Sequence, residues 1–534
     1  MQTQTTIPAM PPRATLAARN PATGETFAQV PVSTPEEVLQ ARLELARSAP
    51  EWAARSARER ARVLRQFQGL LLERLDEITA VLTRDTGKSR QDALIEVFMT
   101  VDFLNLYCHR APGWLRPRPV PRGLYLFKRY WVEHRPYGVV AVIAPWNLPF
   151  ALSLPAALGA LVAGNAVLIK PSEITPATGA IIADLFGAVP ELSPYVRVVH
   201  GGPQVGAALV QSQPDYIFLT GSTSTGKAVL AAAAEHLIPV ACELGGKDPL
   251  IVLEDADVAA AARWAVWGAF FNTGQTCMAV ERVYPVEAVY DEFVRQAVAR
   301  TEELRVGYSE ALESPYYLGP LTSERQLEIV ERQLADAVAR GARVLTGGRR
   351  EGQFFEPTVL VDVDHSMLVM RDETFGPLLP IMKVRDEAEA VRAANDCALG
   401  LGASVWSRDH ERARRVADRI QTGSVLINDT IAHFAVTNLP FGGVKESGFG
   451  RTHGREGVLQ FTQATAYAVG RPPAPWDIAT IMRQPGHYRF GSALMHAVFG
   501  TSWRQRLKAL GLWLAHARGP RTAAPAKDSG HTPA

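Results

Sequence analysis

Gly138-Val139-Val140-Ala141-Val142-Ile143, followed some twenty residues later by Ala166-Val167-Leu168-Ile169, decides how this chain folds. Both runs are short, apolar and rich in β-branched residues, the pattern of strands buried on both faces of a parallel sheet. The span from Pro136 to Ile169 contains no charged residue and exceeds the roughly 20 residues needed to cross a bilayer. A membrane span is nevertheless rejected, because Pro145, Asn147, Pro149 and Pro155 interrupt it. The stretch between the two runs reads as a crossover helix, and the whole as a βαβ unit.

Outward from that unit the alternation continues. Val196 to Val199, Tyr216 to Leu219 and Ile238 to Ala241 are further buried-strand signals separated by helical ones, which predicts an α/β class with a doubly wound sheet. A second alternating set from Leu250 to about Val425 predicts a second α/β domain. Residues 33 to 105 carry helical periodicity, starting at Ser33-Thr34-Pro35-Glu36-Glu37, where a hydroxyl residue precedes Pro and acids. At 534 residues the chain exceeds what one core supports. With 47% hydrophobic and 21% charged residues, it fits neither disorder nor a fibrous class.

A formal net charge of +2 gives no reason to expect nucleic acid as a partner. The charge is unevenly placed: residues 471–534 carry nine Lys or Arg against two Asp, net +7, leaving −5 on the rest. The four cysteines, Cys108, Cys242, Cys277 and Cys397, form no C-x-x-C pair and have no His-rich neighbourhood, so no metal is expected. Residues 1–20 show no apolar signal-peptide core. A reduced, cytoplasmic setting is the expectation.

The chemistry is carried by Cys277, in Phe270-Phe271-Asn272-Thr273-Gly274-Gln275-Thr276-Cys277-Met278-Ala279, and by Glu243, in Cys242-Glu243-Leu244-Gly245-Gly246-Lys247. A thiolate can attack a carbonyl carbon and hold the product as a thioester; releasing it as an acid needs a base to activate water. Three further segments precede the pair: Ala144-Pro145-Trp146-Asn147-Leu148-Pro149-Phe150, Lys170-Pro171-Ser172-Glu173 and Phe218-Leu219-Thr220-Gly221-Ser222-Thr223-Ser224-Thr225-Gly226-Lys227. Glu373-Thr374-Phe375-Gly376-Pro377 follows it. Gly221 and Gly226 lie between an apolar strand and a helical run, where backbone N–H groups can meet a phosphate. Their G-x-x-x-x-G spacing is neither the usual dinucleotide fingerprint nor a Walker motif.

In this order the segments resemble the aldehyde dehydrogenase superfamily of the hydrolytic, NAD(P)-dependent type, from about Ala18 to about Val469. The resemblance implies a variant Rossmann cofactor domain in residues 1–118 and 137–242, a catalytic domain in 243–443, and an oligomerisation arm with a C-terminal strand in 119–136 and 444–470. It implies that Asn147 and the Cys277 N–H form an oxyanion hole, with Cys277 as nucleophile and Glu243 as base. No side chain accepts hydride, so a nicotinamide cofactor is required. Trp146, Lys170, Glu173, Gly221, Ser222, Gly226, Glu373 and Phe375 would bind it. Glu173 should repel a 2′-phosphate, which makes NAD the first choice and NADP possible. Leu148, Leu152, Phe271, Thr276, Met278, Phe434 and Phe441 would line the substrate pocket, with His433 and Phe434 shaping its mouth. No cationic anchor is visible among them, so an apolar aldehyde is expected. The alternatives are a CoA-acylating dehydrogenase, against which Glu243 argues, and a non-catalytic protein on the same scaffold.

The segment Leu124 to His134 reads by itself as an edge strand or an arm; the resemblance implies the arm, pairing with about Gln460 to Val469 across a dimer or tetramer interface. Residues 471–534 extend beyond the resemblance. Trp503, Leu507, Leu510 and Leu514 recur on one helical face, as do Phe490, Leu494 and Val498. Packing of these stripes within the subunit or on a neighbour is expected, ahead of docking on a membrane surface. The last 16 or so residues, rich in Pro, Ala, Gly and Ser, read as disordered.

Overall fold

The computed structural model describes residues 13–123, 128–470 and 487–517. The expected arm residues 124–127 and the expected disordered terminus lie outside them.

The founding βαβ unit forms as its sequence requires. Strand β1 (Val139–Ile143) and strand β2 (Ala166–Lys170) are buried along their whole length and pair in parallel, Val139 opposite Ala166. The helix between them, Pro149–Ala163, is buried at every position, which explains why its sequence is apolar all round. Pro149 starts it and Gly164, at φ +107°, ends it. Strands β3 (Val196–Val198), β4 (Tyr216–Thr220) and β5 (Val240–Glu243) complete five parallel strands in the order β5-β4-β1-β2-β3. The order reverses between β1 and β4, the position where open α/β sheets bind ligands beyond their carboxyl ends. β5 starts and ends two residues later than the apolar run Ile238 to Ala241 suggested, so Glu243 is its last residue rather than a loop residue.

A second sheet holds β6 (Asp248–Val252), β7 (Val280–Pro285), β8 (Ser404–Trp406) and β9 (Leu426–Ile427), all parallel, in the order β7-β6-β8-β9. Its buried core runs from Leu250 to Ile420 and is distinct from the first. Residues 444–461 do not belong to an arm. Strand β10 (Gly448–Phe449) closes the first sheet antiparallel to β5, with Gly448 opposite Glu243, and Val458 and Phe461 enter the first core.

These elements make up one compact unit, residues 1–117 and 133–465; the other comprises 118–132 and 466–534. The arm expectation needs a correction as well. Lys128–Pro136 lies between Arg118–Val120 and Thr462–Gly470 of the same chain, so the expected strand partner is met within one subunit. Trp131 stacks on Tyr467 with ring centres 4.9 Å apart, and His134 meets Thr462 at 3.0 Å, so an aromatic pair and a polar contact fix the strand within its own polypeptide. No helix of the described residues is long and apolar enough to cross a membrane.

Candidate active site

Asn147 sits in the loop between β1 and the helix Pro149–Ala163, whose start has no side-chain cap of its own. The helix α1 (Arg90–Trp114) supplies one. Glu96 is buried, and its carboxylate accepts hydrogen bonds from the Phe150 N–H at 3.0 Å and the Ala151 N–H at 3.1 Å, a negative charge at a helix N-terminus. Buried Lys88 pairs with Glu96 and donates to the Asn147 carbonyl at 2.8 Å. Asn272 donates to the same carbonyl at 3.1 Å. The Asn147 side-chain amide donates one hydrogen to the Gln275 carbonyl at 3.0 Å. Its second hydrogen is available to a ligand.

The Cys277 loop is held by strained backbone. Asn272 and Thr273 have φ of +52° and +58°, and Gly274 has +74°, three left-handed residues in succession. Glycine is required at 274, because a Cβ would stand 2.3 Å from the Gly376 carbonyl oxygen. Such strain persists only where the surroundings over-determine it. Here the Asn147, Asn272 and Gln275 bonds do so, and Gln275 also accepts from the Thr322 N–H at 2.9 Å.

Burial pushes the Cys277 thiol well above its ordinary pKa, reinforced by the charges of Glu243, Glu373 and Asp248 and opposed by its own N–H. The lowered thiol pKa that nucleophilic attack favours is therefore not built into the protein alone. Glu243 is buried at the end of β5 and accepts from the Thr452 hydroxyl at 2.8 Å. Burial raises its pKa to about 7, against that hydrogen bond and the charge of Arg451. A carboxyl group poised there can take a proton from water near neutral pH.

Glu373 is drawn to the same place. Its carboxylate accepts from the Gly246 N–H at 2.9 Å. Burial, then the charge of Glu281, raises its pKa. A buried ion pair, Lys247 with Glu281 at 2.6 Å, fastens the segment that carries it. Glu281 accepts from the N–H groups of Thr374 at 2.7 Å and Phe375 at 2.8 Å. Phe375, at φ +52°, meets Trp146 edge to face with centroids 5.5 Å apart. Gly246 joins the Cys277 and Glu243 segments: a Cβ there would stand 1.9 Å from the Cys277 carbonyl oxygen.

Lys170, at the end of β2, is buried and pairs with Glu173 at 3.4 Å. The helix Thr223–Ala234 after β4 is capped by Ser222, whose hydroxyl accepts from the Thr225 N–H at 3.2 Å. The two glycines of this turn work differently from the phosphate cradle expected of them. The Gly221 N–H donates to the Glu243 carbonyl, and the Gly226 N–H to the Ser222 carbonyl. A Cβ at Gly226 would stand 2.7 Å from Leu244, so that glycine lets helix and strand approach. An anion at this helix start would meet the N–H groups of Thr223 and Ser224.

Beside Glu243 lies a small cavity of about 30 Å³, lined by Leu152, Pro155, Phe434, Phe103, Tyr107 and His453 among others. The sequence reading missed Phe103 and Tyr107 of α1, and Thr452 and His453, because only the fold brings them there. Burial pushes the His453 imidazole down to about 3, so it is neutral. Leu148, Thr276 and Met278 are buried beside the loops that carry Asn147 and Cys277, and half-buried Phe271 packs on Trp267. Phe441 is fully buried against His433, Phe434 and His453, so it belongs to an aromatic cluster behind the cavity. His433 and Phe434 are buried too and do not form the mouth. The helix that carries Phe103 and the loop after Phe434 expose apolar residues, among them Leu94 and Phe98 of α1, one turn apart, and Val436 and Leu439. Thr437 and Asp102, hydrogen-bonded at 2.8 Å, tie these two segments together.

A sequence model described as the aldehyde dehydrogenase family matches residues 10–467. The chain is similar to a 4,4′-diapolycopene aldehyde oxidase of a Methylomonas species, 43% identical over 86% of this chain and 87% of that protein. It is similar to a succinate-semialdehyde dehydrogenase (NADP(+)) of Deinococcus radiodurans, 38% identical over 84% of this chain and 94% of that one. Among solved structures, a succinate-semialdehyde dehydrogenase from Burkholderia pseudomallei superposes with a TM-score of 0.82 at 35% identity, covering 86% of this chain and 95% of that one.

Proposed function

The chain belongs to the aldehyde dehydrogenase family, and from that premise we propose that it oxidises an apolar aldehyde to the free carboxylic acid with a nicotinamide cofactor. The observation that carries the substrate class is the lining beside Glu243. Among the described residues around that cavity there is no Lys or Arg, and His453 is neutral. A semialdehyde carboxylate brought against this lining would be desolvated without a cationic partner from it. The exposed apolar residues Leu94, Phe98, Val436 and Leu439, on the segments that also carry the lining residues Phe103 and Phe434, support the same reading, as does the name of the Methylomonas relative.

In this reading the Cys277 thiolate adds to the aldehyde carbon. The free hydrogen of the Asn147 amide and the Cys277 N–H stabilise the oxyanion that develops. Glu243 takes a proton from the water that resolves the thioester. The residues around the cofactor site fit a dinucleotide: a capped helix start for phosphate, Lys170 and Glu173 for ribose hydroxyls, and Glu373 beside the crowded Gly245-Gly246 backbone. Bound there, NAD or NADP would supply the hydride acceptor that no side chain provides. Lys170 offsets part of the Glu173 charge, which leaves room for a 2′-phosphate while keeping NAD as first choice. The strand pair Lys128–Pro136 and Thr462–Gly470 is proposed to extend into a homodimer or homotetramer.

The test is a panel of aldehydes followed by cofactor reduction, run with NAD and NADP and with and without CoA. Long-chain or conjugated aldehydes are expected to exceed succinic semialdehyde in kcat/KM by roughly 100-fold. Preference for the semialdehyde, or dependence on CoA, would overturn the reading. Asn147→Ala is expected to lower turnover by roughly 10²- to 10³-fold, the usual cost of one oxyanion donor. A change below about threefold would assign the oxyanion to other groups.

A further inference from the structure

The segment after Gly470 lies beyond the matched family region, and nothing in the aldehyde chemistry uses it. Its described part is a hairpin of two helices, α2 (His487–Phe499) and α3 (Trp503–Ala517), joined by a three-residue turn and packed together where Ala493 and Ala509 are buried. The two stripes read from the sequence differ in fate. Leu494 and Val498 are half-buried, so that face of α2 turns inward. The outward face of α2 carries Tyr488, Met495 and Phe499 at spacings of seven and four. On α3, Trp503, Leu507, Leu510 and Leu514 all face solvent, Trp503 at 67% and Leu507 at 59% exposure.

Helical geometry places Arg506 on one flank of the α3 stripe and Arg504 and Lys508 on the other. From residue 478 to residue 527 every Asp and Glu is absent, and all eight charged residues other than His are Arg or Lys. An apolar stripe between cationic flanks is the form of a helix that lies in a lipid interface. A second copy of the same hairpin is a poorer occupant, because it would bring two like-charged borders together. Trp503, with the Arg504 guanidinium 5.4 Å from its ring, suits the headgroup level, where aromatic and cationic groups meet both lipid and water.

We propose that the α2–α3 hairpin docks this protein on an anionic lipid surface, with Trp503, Leu507, Leu510 and Leu514 in the interface and Arg504, Arg506 and Lys508 on the headgroups. The expectation was packing within the subunit or on a neighbour; exposure of the stripe in the single chain disfavours the first, and its cationic border favours lipid over the second. On the reading of the substrate given above, docking also brings the enzyme to the phase in which an apolar aldehyde dissolves; the test does not depend on that reading.

Full-length protein is floated with vesicles of phosphatidylcholine alone or mixed with phosphatidylglycerol. Recovery with the anionic vesicles at low salt is expected to exceed recovery with phosphatidylcholine by at least about tenfold, and to fall at high salt. The double variant L507E/L510E is expected to lose about tenfold of that recovery. Its melting temperature, assembly size by light scattering and turnover of a water-soluble aldehyde should match the parent. Absence of flotation on anionic vesicles, equal recovery on both vesicle types, or unchanged recovery of the variant would overturn the proposal. So would a changed assembly size or melting temperature of the variant without vesicles, which would assign the stripe to the protein's own subunits.

Discussion

Cys277→Ala is expected to reduce aldehyde oxidation by more than about 10⁴-fold, to the level of background, while binding of the nicotinamide cofactor stays nearly unchanged. In the proposed mechanism the thiol forms the covalent bond to the substrate, whereas Lys170, Glu173 and the capped start of the helix Thr223–Ala234 lie at other strand ends. Calorimetric titration of the cofactor and a steady-state assay check both halves. Turnover that survives in the purified variant would show that another group carries the acyl chain. Removing the thiol also tests whether the strained Asn272–Gly274 turn serves only to present it: an unchanged melting temperature is expected, since the turn is held by Asn147, Asn272 and Gln275.

Glu243→Gln is expected to preserve a single burst of cofactor reduction but slow later turnovers by roughly 10²- to 10⁴-fold, the range of a lost general base. The pH dependence follows from burial. With its pKa raised to about 7, Glu243 is protonated below that pH and cannot accept a proton from water; above it, the carboxylate can. Where hydrolysis limits the rate, turnover of the parent enzyme should therefore fall as pH drops through about 7 and level off above. The variant should lack that limb. Steady-state turnover equal to the parent's would remove Glu243 from the mechanism.

The parts legible in the sequence were those governed by local pattern. The apolar runs at Val139 and Ala166 became fully buried parallel strands at the expected places, because a strand buried on both faces has no polar residue to blur its ends. The shift from Ile238–Ala241 to Val240–Glu243 has a plain cause: Pro239 has no N–H to donate to a neighbouring strand. What could not be read was long-range. Lys88 and Glu96 look like ordinary charges on a helical segment, and only the fold carries them to the Asn147 loop. Lys247 and Glu281 are thirty-four positions apart and meet in the interior. The positive φ of Asn272, Thr273 and Phe375 is imposed by tertiary contacts on residues whose types do not demand it. The thiol environment is hidden for the same reason, since the sequence does not show that the charges of Glu243, Glu373 and Asp248 all act on Cys277.

Gly246, crowded by the carbonyl oxygen of Cys277, has a consequence for how this enzyme can diverge. Where two main chains touch with no side chain between them, the separation of the Glu243 carboxylate and the Cys277 thiol is set by a joint that substitutions elsewhere cannot gradually loosen. The walls beside Glu243, by contrast, are side chains such as Leu152, Phe103 and Phe434. On the proposed reading, appetite for different aldehydes can therefore drift by exchanging wallpaper while the reaction machinery keeps its gauge, and a change at residue 246 is the kind that would halt the enzyme outright instead of retuning it.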